Sequence, residues 1–344
     1  MRSVLTLFVL FASLMLVIPT TAAAVLKSGV EKTDMPSAAV SQSAEERIES
    51  EKAGPLENIE EKAELFSEFL ILDRSSGKTQ TVSAIDFIRG AVSSEMPAAY
   101  DIEALKAQAV AAHTWAVKCA LSPDKALGGA HFSADPTKDE GYITKARFFE
   151  RYGDTADEYW DKICEAADFA ANRLVIYDGE PALCAYHAMS AGVTEDAGNV
   201  WQTSLPYLVP VESGGDTKAD TFEETKTFGT AEMRMLLSLS FPTAILQEDP
   251  AEWIEINERS ASGYVTQVTV GGVEMHGQKL RTALSLRSTA LTLDYREGVF
   301  YITTKGYGHG VGLSQVGANA MAQEGADAEE ILSHYYPDTE LVEY

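Results

Sequence analysis

The sequence predicts an α+β fold in which helices and antiparallel strands are mixed, and three observations carry that expectation. An alanine-rich run of good helix formers follows Asp101, in AVSSEMPAAYDIEALKAQAVAAHTWAVKCAL from Ala91 to Leu121. Short apolar or alternating segments bounded by Gly and Asp read as strands: FLILD from Phe69, LVIYDGEPALCAYHAMS from Leu174 and YVTQVTV from Tyr264. The two kinds of segment are interspersed without regular βαβ alternation or an internal repeat, which disfavours a doubly wound parallel sheet. With 344 residues, 45% of them hydrophobic, the chain can fill one large core or two modest ones.

In chain order, the first residues carry Arg2, an apolar run from Val4 to Ile18 and small residues from Thr21 to Ala24, the layout of an export signal. The uncharged span Ser3 to Leu26 is also long enough for a membrane helix, so cleavage and retention as an anchor both remain open. Either way the body is expected outside the cytoplasm, with residues 1–26 as signal or anchor. Residues 27–62, rich in Ser, Ala, Glu and Lys without apolar period, read as a flexible acidic stalk, and residues 63–344 as the folded body. The body opens with the FLILD strand and an RSSGK turn. A helix from Val82 to about Val92 then leads into a turn holding Glu95.

Asp101 is placed to cap the long helix, with Glu103 in its first turn. A polar, Gly-bearing stretch from Leu127 to Gly141 precedes a helix over Lys145 to Ala171. The strands from Leu174 form a hairpin turning at Asp178 and Gly179, followed by a small-residue loop that carries Trp201 as a groove wall. Glu223 to Ser240 reads as a helix beginning near Thr221. Tyr264 to Val270 alternates as a half-buried strand entering a turn at Gly271 and Gly272. The chain ends in a strand, a glycine-dense loop and a helix starting near Ser314.

Composition excludes several function classes. The 27 basic against 52 acidic side chains give a net charge of -25, which repels polyanions and argues against nucleic-acid binding. The three cysteines, Cys119, Cys164 and Cys184, lack CxxC spacing, so neither a zinc ribbon nor a dithiol site is expected. Free buried thiols are favoured over a Cys164–Cys184 disulfide. No GxSxG, HExxH or Ser/His/Asp spacing supports a nucleophilic or metalloprotease site.

Two segments could do chemistry. Glu95, beside Met96 and Pro97 and outside the long helix, is expected to be partly desolvated, which raises a carboxyl pKa and suits a general acid. The plainer reading is a solvated loop glutamate. Glycines at 306, 308, 310, 312 and 317 surround His309 and would let the backbone approach a ligand, although a tight strand-to-helix turn explains them equally well. The loop lacks a phosphate-loop ending, and a single His is a weak metal signal. On the long helix, Lys106, Val110 and His113 share one stripe and Gln108 shares another with Ala104, Ala111 and Trp115.

Four segments, SSEMPAAYDIEALKAQAVAAHTWAV, YHAMSAGVTEDAGNVW, LRTALSLRST and GYGHGVGLSQVGANAMAQEGADAEEILSHYYPDTEL, together resemble the stage II sporulation protein D (SpoIID) family, in the family's order. The resemblance implies a peptidoglycan lytic transglycosylase with a glycan-binding groove, acting in septal wall degradation and engulfment during sporulation. It puts the catalytic glutamate on Glu95 and substrate-binding residues on Lys106, Gln108, Tyr186, Ser190, His309 and Gln315. It implies no cofactor. The implied partners are glycan strands, the amidase/endopeptidase stage II sporulation protein P and the membrane protein stage II sporulation protein M. His113 stands where many members carry arginine, which would make that contact pH-dependent. Some members hold zinc after the long helix, but GGAHFSADPTKDEGY keeps His131 and has Ala134 where a cysteine is expected, so no metal is expected. The competing reading within the family is a non-catalytic wall-binding or amidase-enhancing module.

Overall fold

The computed structural model describes residues 66–123, 125–135 and 141–344. The expected signal or anchor, the stalk and the first few residues of the expected body lie outside the described residues. No helix among the described residues is long and apolar enough to cross a membrane.

Strands β1 (Glu68–Asp73) and β2 (Lys78–Ser83) form an antiparallel hairpin about the RSSG turn, where Asp73 accepts hydrogen bonds from Ser75 and Ser76. Ser83 then caps α1 (Ala84–Glu95) by accepting the Asp86 N–H. This helix runs three residues beyond the expected end. Pro97 stops it, because the residue before a proline is pushed out of the helical region, and Met96 is extended at φ -122° and ψ 145°. Glu95 is therefore the last residue of a helix rather than part of a free turn.

Asp101 caps α2 (Ile102–Leu121) as expected, accepting the Glu103 N–H. Strand β3 (Phe132–Ala134) adds parallel to β1. The expected helix from Lys145 to Ala171 is two helices, α3 (Lys145–Tyr152) and α4 (Ala156–Ala170), because Gly153 adopts φ +53° and breaks the run. Strands β4 (Arg173–Tyr177) and β5 (Glu180–Pro181) make the expected hairpin with positive φ at Asp178 and Gly179, and the chain then leaves it for β6 (Tyr186–His187). Helix α5 (Ala197–Trp201) ends this half.

Glu223 to Ser240 corrects the expected single helix: it is β7 (Glu223–Gly229) followed by α6 (Thr230–Ser240). Thr225, Thr227 and Phe228 lie in a segment with alternating burial that pairs antiparallel with the strand Val299–Lys305, and this pairing overrides helix propensity. Strands β8 (Ile254–Arg259), β9 (Val265–Val270) and β10 (Val273–His276) form a meander, followed by α7 (Gly277–Ala283). Strand β11 (Leu291–Arg296) and β12 (Val299–Lys305) complete a sheet ordered β11-β12-β7. The chain returns through β13 (Leu313–Ser314), parallel to β6, into α8 (Gln315–Gln323) and α9 (Ala328–Tyr335). It closes with β14 (Glu340–Glu343) on β4.

The architecture is thus α+β, with mainly antiparallel sheets and two short parallel pairings. It contains two hydrophobic cores. The larger joins α1, α2, α4, β4, α8 and α9, and includes Phe69, Phe87, Trp115, Phe148 and Tyr336. The smaller, around Met233, Leu237, Trp253, Val268 and Phe300, belongs to residues contributed between β7 and β12. That segment is an insertion in a first body whose sequence resumes at the glycine-dense loop. All three cysteines are free thiols, two of them buried.

His113, expected to make an altered polar contact, is instead a core residue with no exposure. Its Nδ1–H donates to the carbonyls of Ala170 and Arg173 at 2.8 and 3.2 Å, and burial lowers its pKa from 6.5 to about 4. Between those two values the unfolded chain binds a proton that the folded chain does not, so stability is full above pH 6.5 and falls as pH drops towards 4. The change amounts to about 3 kcal/mol from this one residue. Urea denaturation of His113→Gln should show a shallower loss of stability from pH 7 to 5 than the parent; equal slopes would show that His113 does not supply this dependence.

Candidate functional site

The end of α1 is packed tightly enough to hold a carboxylate still. Every residue from Ala91 to Glu95 is buried, and Glu95 is 3% exposed. Arg151 Nη1 donates to the Ser93 carbonyl at 2.7 Å, placing a cation at the negative end of the helix. The following loop is pinned twice, by Ala98 N–H to the Tyr152 hydroxyl at 3.1 Å and by Asp101 N–H to Asn319 Oδ1 at 2.8 Å. The second contact ties the Glu95 loop to α8.

Three of the expected residues converge with Glu95. Tyr186 is brought in by the parallel pairing of β6 with β13. Its hydroxyl is held far above the ordinary phenol range, first by burial and second by the neighbouring Glu95 carboxylate, with the Gln108 amide beside it. Gln315, the first residue of α8, donates from Nε2 to Gln108 Oε1 at 3.3 Å. Gln108 Nε2 is buried beside the Tyr186 hydroxyl, and at most one of its two N–H groups is engaged there. The cluster therefore presents one carboxylate, one phenol that stays protonated, and an amide pair with a donor to spare. A carboxyl group in such a site is of the type that can exchange a proton with a bound group.

The other three expected residues serve elsewhere. Lys106 ion-pairs with Glu103 at 2.9 Å and Glu165 at 3.2 Å, and its ammonium lies 5.6 Å from the centre of the Phe169 ring. Burial alone would depress it, but the two carboxylates hold its pKa above the usual lysine value. It ties α2 to α4 instead of reaching back to Glu95. Ser190 is fully buried and gives its hydroxyl proton to Asp216 at 2.5 Å.

His309 is 2% exposed, and both ring nitrogens are engaged by backbone. Nε2–H donates to the Tyr186 carbonyl at 3.0 Å and Nδ1 accepts the Val311 N–H at 3.0 Å. No ring position remains for the expected sugar hydrogen bond. Burial, then the neighbouring His187, keeps the imidazole neutral. His309 is thus a clamp that holds the strand carrying Tyr186.

The glycines around His309 also have a packing cause. A Cβ on Gly310 would lie 2.7 Å from the Tyr264 ring, and one on Gly312 would lie 2.1 Å from the Ala185 carbonyl oxygen. Both glycines hold positive φ, at +86° and +72°. Their neighbours fill the space that sequence reasoning left for a ligand.

Two participants were missed by that reasoning. Asp216, in a 3-10 turn at Gly214–Lys218, joins Ser190 to Ser314, and Tyr264 of the insertion accepts the Ala191 N–H at 2.9 Å. Neither stands out locally: Asp216 sits in an ordinary polar SGGDT stretch and Tyr264 at the start of a strand. At the segment expected to lack a metal, His131 Nδ1 accepts the Leu70 N–H at 3.3 Å. No group of three or more metal-ligating side chains occurs among the described residues, which omit 136–140.

Comparison with known proteins adds the family. A model described as stage II sporulation protein (SpoIID) matches residues 73–177, the segment that contains Glu95 and Gln108. Stage II sporulation protein D of Bacillus subtilis is 31% identical over 259 residues, covering 75% of this chain and 74% of that protein. The chain belongs to the stage II sporulation protein D family. The Bacillus amyloliquefaciens protein of the same name is 30% identical over 270 residues, covering 78% and 77% of the two chains. The amidase enhancer of Bacillus subtilis is 25% identical over 309 residues, with 75% of this chain and 40% of that protein covered.

The clamp has a measurable consequence. His309→Ala leaves the Tyr186 carbonyl and the Val311 N–H without their partner, at a cost of about 1–3 kcal/mol per buried group. Chemical denaturation should therefore show a clear loss of stability. A variant as stable as the parent would show that the imidazole does not hold this strand.

Proposed function

We propose that this chain is a lytic transglycosylase that cuts peptidoglycan glycan strands between N-acetylmuramic acid and N-acetylglucosamine. The observation that carries the reading is the burial of Glu95 against Tyr186 and the Gln108–Gln315 amide pair. Membership of the family supports the same wall-directed role in sporulation.

Protonated Glu95 gives its proton to the glycosidic oxygen as the bond from that oxygen to the muramoyl C1 breaks, releasing the N-acetylglucosamine 4-hydroxyl. The C6 hydroxyl oxygen then attacks C1, and Glu95, now a carboxylate, takes the C6 hydroxyl proton. The product is a 1,6-anhydro end. No water is consumed and the acid is regenerated, so one carboxyl group serves both steps where most glycosidases use two. Tyr186 is kept protonated and donates a hydrogen bond. The spare donor of Gln108 suits a sugar hydroxyl or an acetamide carbonyl.

In this reading residues 1–26 export the protein and either anchor it or are removed, and residues 27–62 space the body from the membrane. The substrate is the wall between mother cell and forespore. Stage II sporulation proteins P and M are the proposed partners, the first removing stem peptides and the second holding both enzymes at the membrane.

A second reading, a wall-binding module that enhances another enzyme, is favoured by the likeness to the amidase enhancer. Product chemistry separates the possibilities. Purified protein from about residue 63 onward should release fragments ending in anhydro sugars by mass spectrometry. Reducing ends would indicate a hydrolase, and binding without fragments would indicate the module.

Glu95→Gln should retain glycan binding while turnover falls by about a hundredfold or more, the low end for loss of a general acid/base. Wild-type cleavage by this variant would remove Glu95 from the reaction.

A further inference from the structure

Asp216 is a fully buried carboxylate to which the chemistry above gives no role. Its Oδ2 accepts the Ser190 N–H at 3.0 Å and the Ser190 hydroxyl at 2.5 Å, and its Oδ1 accepts the Ser314 hydroxyl at 2.8 Å. Ser213 supplies a further hydroxyl interaction. Burial raises the Asp216 pKa while these hydrogen bonds oppose the rise, and as a carboxylate it can take all these donors together. A buried carboxylate is costly unless its hydrogen bonds are complete, and here the donors come from three separate segments.

What the carboxylate fixes is the direction of the Ser314 hydroxyl. Ser314 has one hydroxyl proton. Because Asp216 takes it, the oxygen lone pairs face the other way, where they accept the Gly317 N–H and the Ser190 N–H, both at 3.3 Å. Ser314 is the N-cap of α8, and the next residue is Gln315, whose amide meets Gln108. The order of contact is Asp216, Ser314, the first turn of α8, Gln315, Gln108. Ser190, gripped by the same carboxylate, opens the loop whose next residue, Ala191, is held by Tyr264.

We propose that Asp216 is a positioning residue of the glycan-cleaving site, which sets the Gln315–Gln108 amide pair beside Glu95 and Tyr186 by orienting the Ser314 cap and the Ser190 loop. The inference rests on the functional reading above. An asparagine at 216 would present N–H donors to one set of donating groups, so that the Ser314 hydroxyl or the Ser190 loop must shift to avoid a donor-to-donor contact.

The test is a double-mutant cycle between Asp216→Asn and Gln315→Ala, with turnover, KM and the glycan dissociation constant measured per folded molecule. Asp216→Asn alone should lower kcat by about tenfold or more, with a smaller change in KM, since displacements of an ångström or less suffice for such losses. In the Gln315→Ala background the same change should cost less than about threefold, because residues acting through one path are not additive. Undiminished loss in that background, or unchanged turnover by Asp216→Asn, would overturn the proposal. If Asp216→Asn does not fold, Ser314→Ala keeps the carboxylate and its Ser190 bonds while cutting the same path, and its cycle with Gln315→Ala decides in the same way. Should the parent protein bind glycan without cutting it, the transglycosylase reading fails by itself. The cycle is then read in the dissociation constant, where additive losses overturn the inference and non-additive ones support it.

Discussion

The structure depends on how closely its elements can approach α2. Ala104, Ala107, Ala109, Ala111, Ala112 and Ala116 are all completely buried, and they let α1, α4, α8, α9 and β4 pack against one helix. A small side chain forfeits apolar area but allows backbones to come near, and the dispersion contacts of the neighbours make up the loss. This matters for the site because Glu95 ends α1, Gln108 lies on α2 and Gln315 begins α8. Two consecutive helices and α8, far along the sequence, thus meet at one place. A larger residue on any of these faces would have to push its neighbours away from α2.

The second core changes how the glycine-dense loop is understood. The insertion between β7 and β12 sends Tyr264 back onto the first body, where its ring fills the space beside Gly310 and its hydroxyl accepts the Ala191 N–H. His276 Nε2–H donates to the Asn199 carbonyl at 2.6 Å, and Arg287 Nη1 donates to the Thr221 carbonyl at 2.9 Å. These contacts brace the loops on either side of β6 and β13. The insertion therefore acts on the Tyr186 strand through its supports, and its smaller core is the platform from which Tyr264 projects.

Local signals were legible where local chemistry decides. Asp101 caps its helix as its residue type and position foretell, a helix begins at Ser314 as expected, and the Asp178–Gly179 turn follows from the need for positive φ. Glu223 to Ser240 was not legible, because a strand partner more than seventy residues away, β12, decides its conformation. Glu95, Gln108, Tyr186 and Gln315, which family likeness named, lie together in the structure, while Lys106, Ser190 and His309 carry structural bonds that no sequence spacing reveals. The glycines flanking His309 invited a ligand, yet the neighbouring Tyr264 ring and Ala185 carbonyl account for two of them. Asp216 was invisible for the opposite reason: its partners at 190 and 314 come from segments on either side of the insertion.

For the chemistry proposed, the charge state of Tyr186 beside Glu95 is the decisive property. An ammonium or guanidinium beside the carboxylate would favour its ionised form and remove the proton that the first step needs. The lysine that sequence position brings nearest along α2, Lys106, is instead bound to Glu103 and Glu165. Tyr186 resists ionisation because burial and Glu95 both oppose a second negative charge. His309, facing the backbone of the same strand, is kept uncharged by burial and by His187, whose own pKa burial lowers to about 3. In the proposed cycle Glu95 would exchange its proton beside a phenol that keeps its own. A single acid would then act twice in that cycle without Tyr186 changing charge.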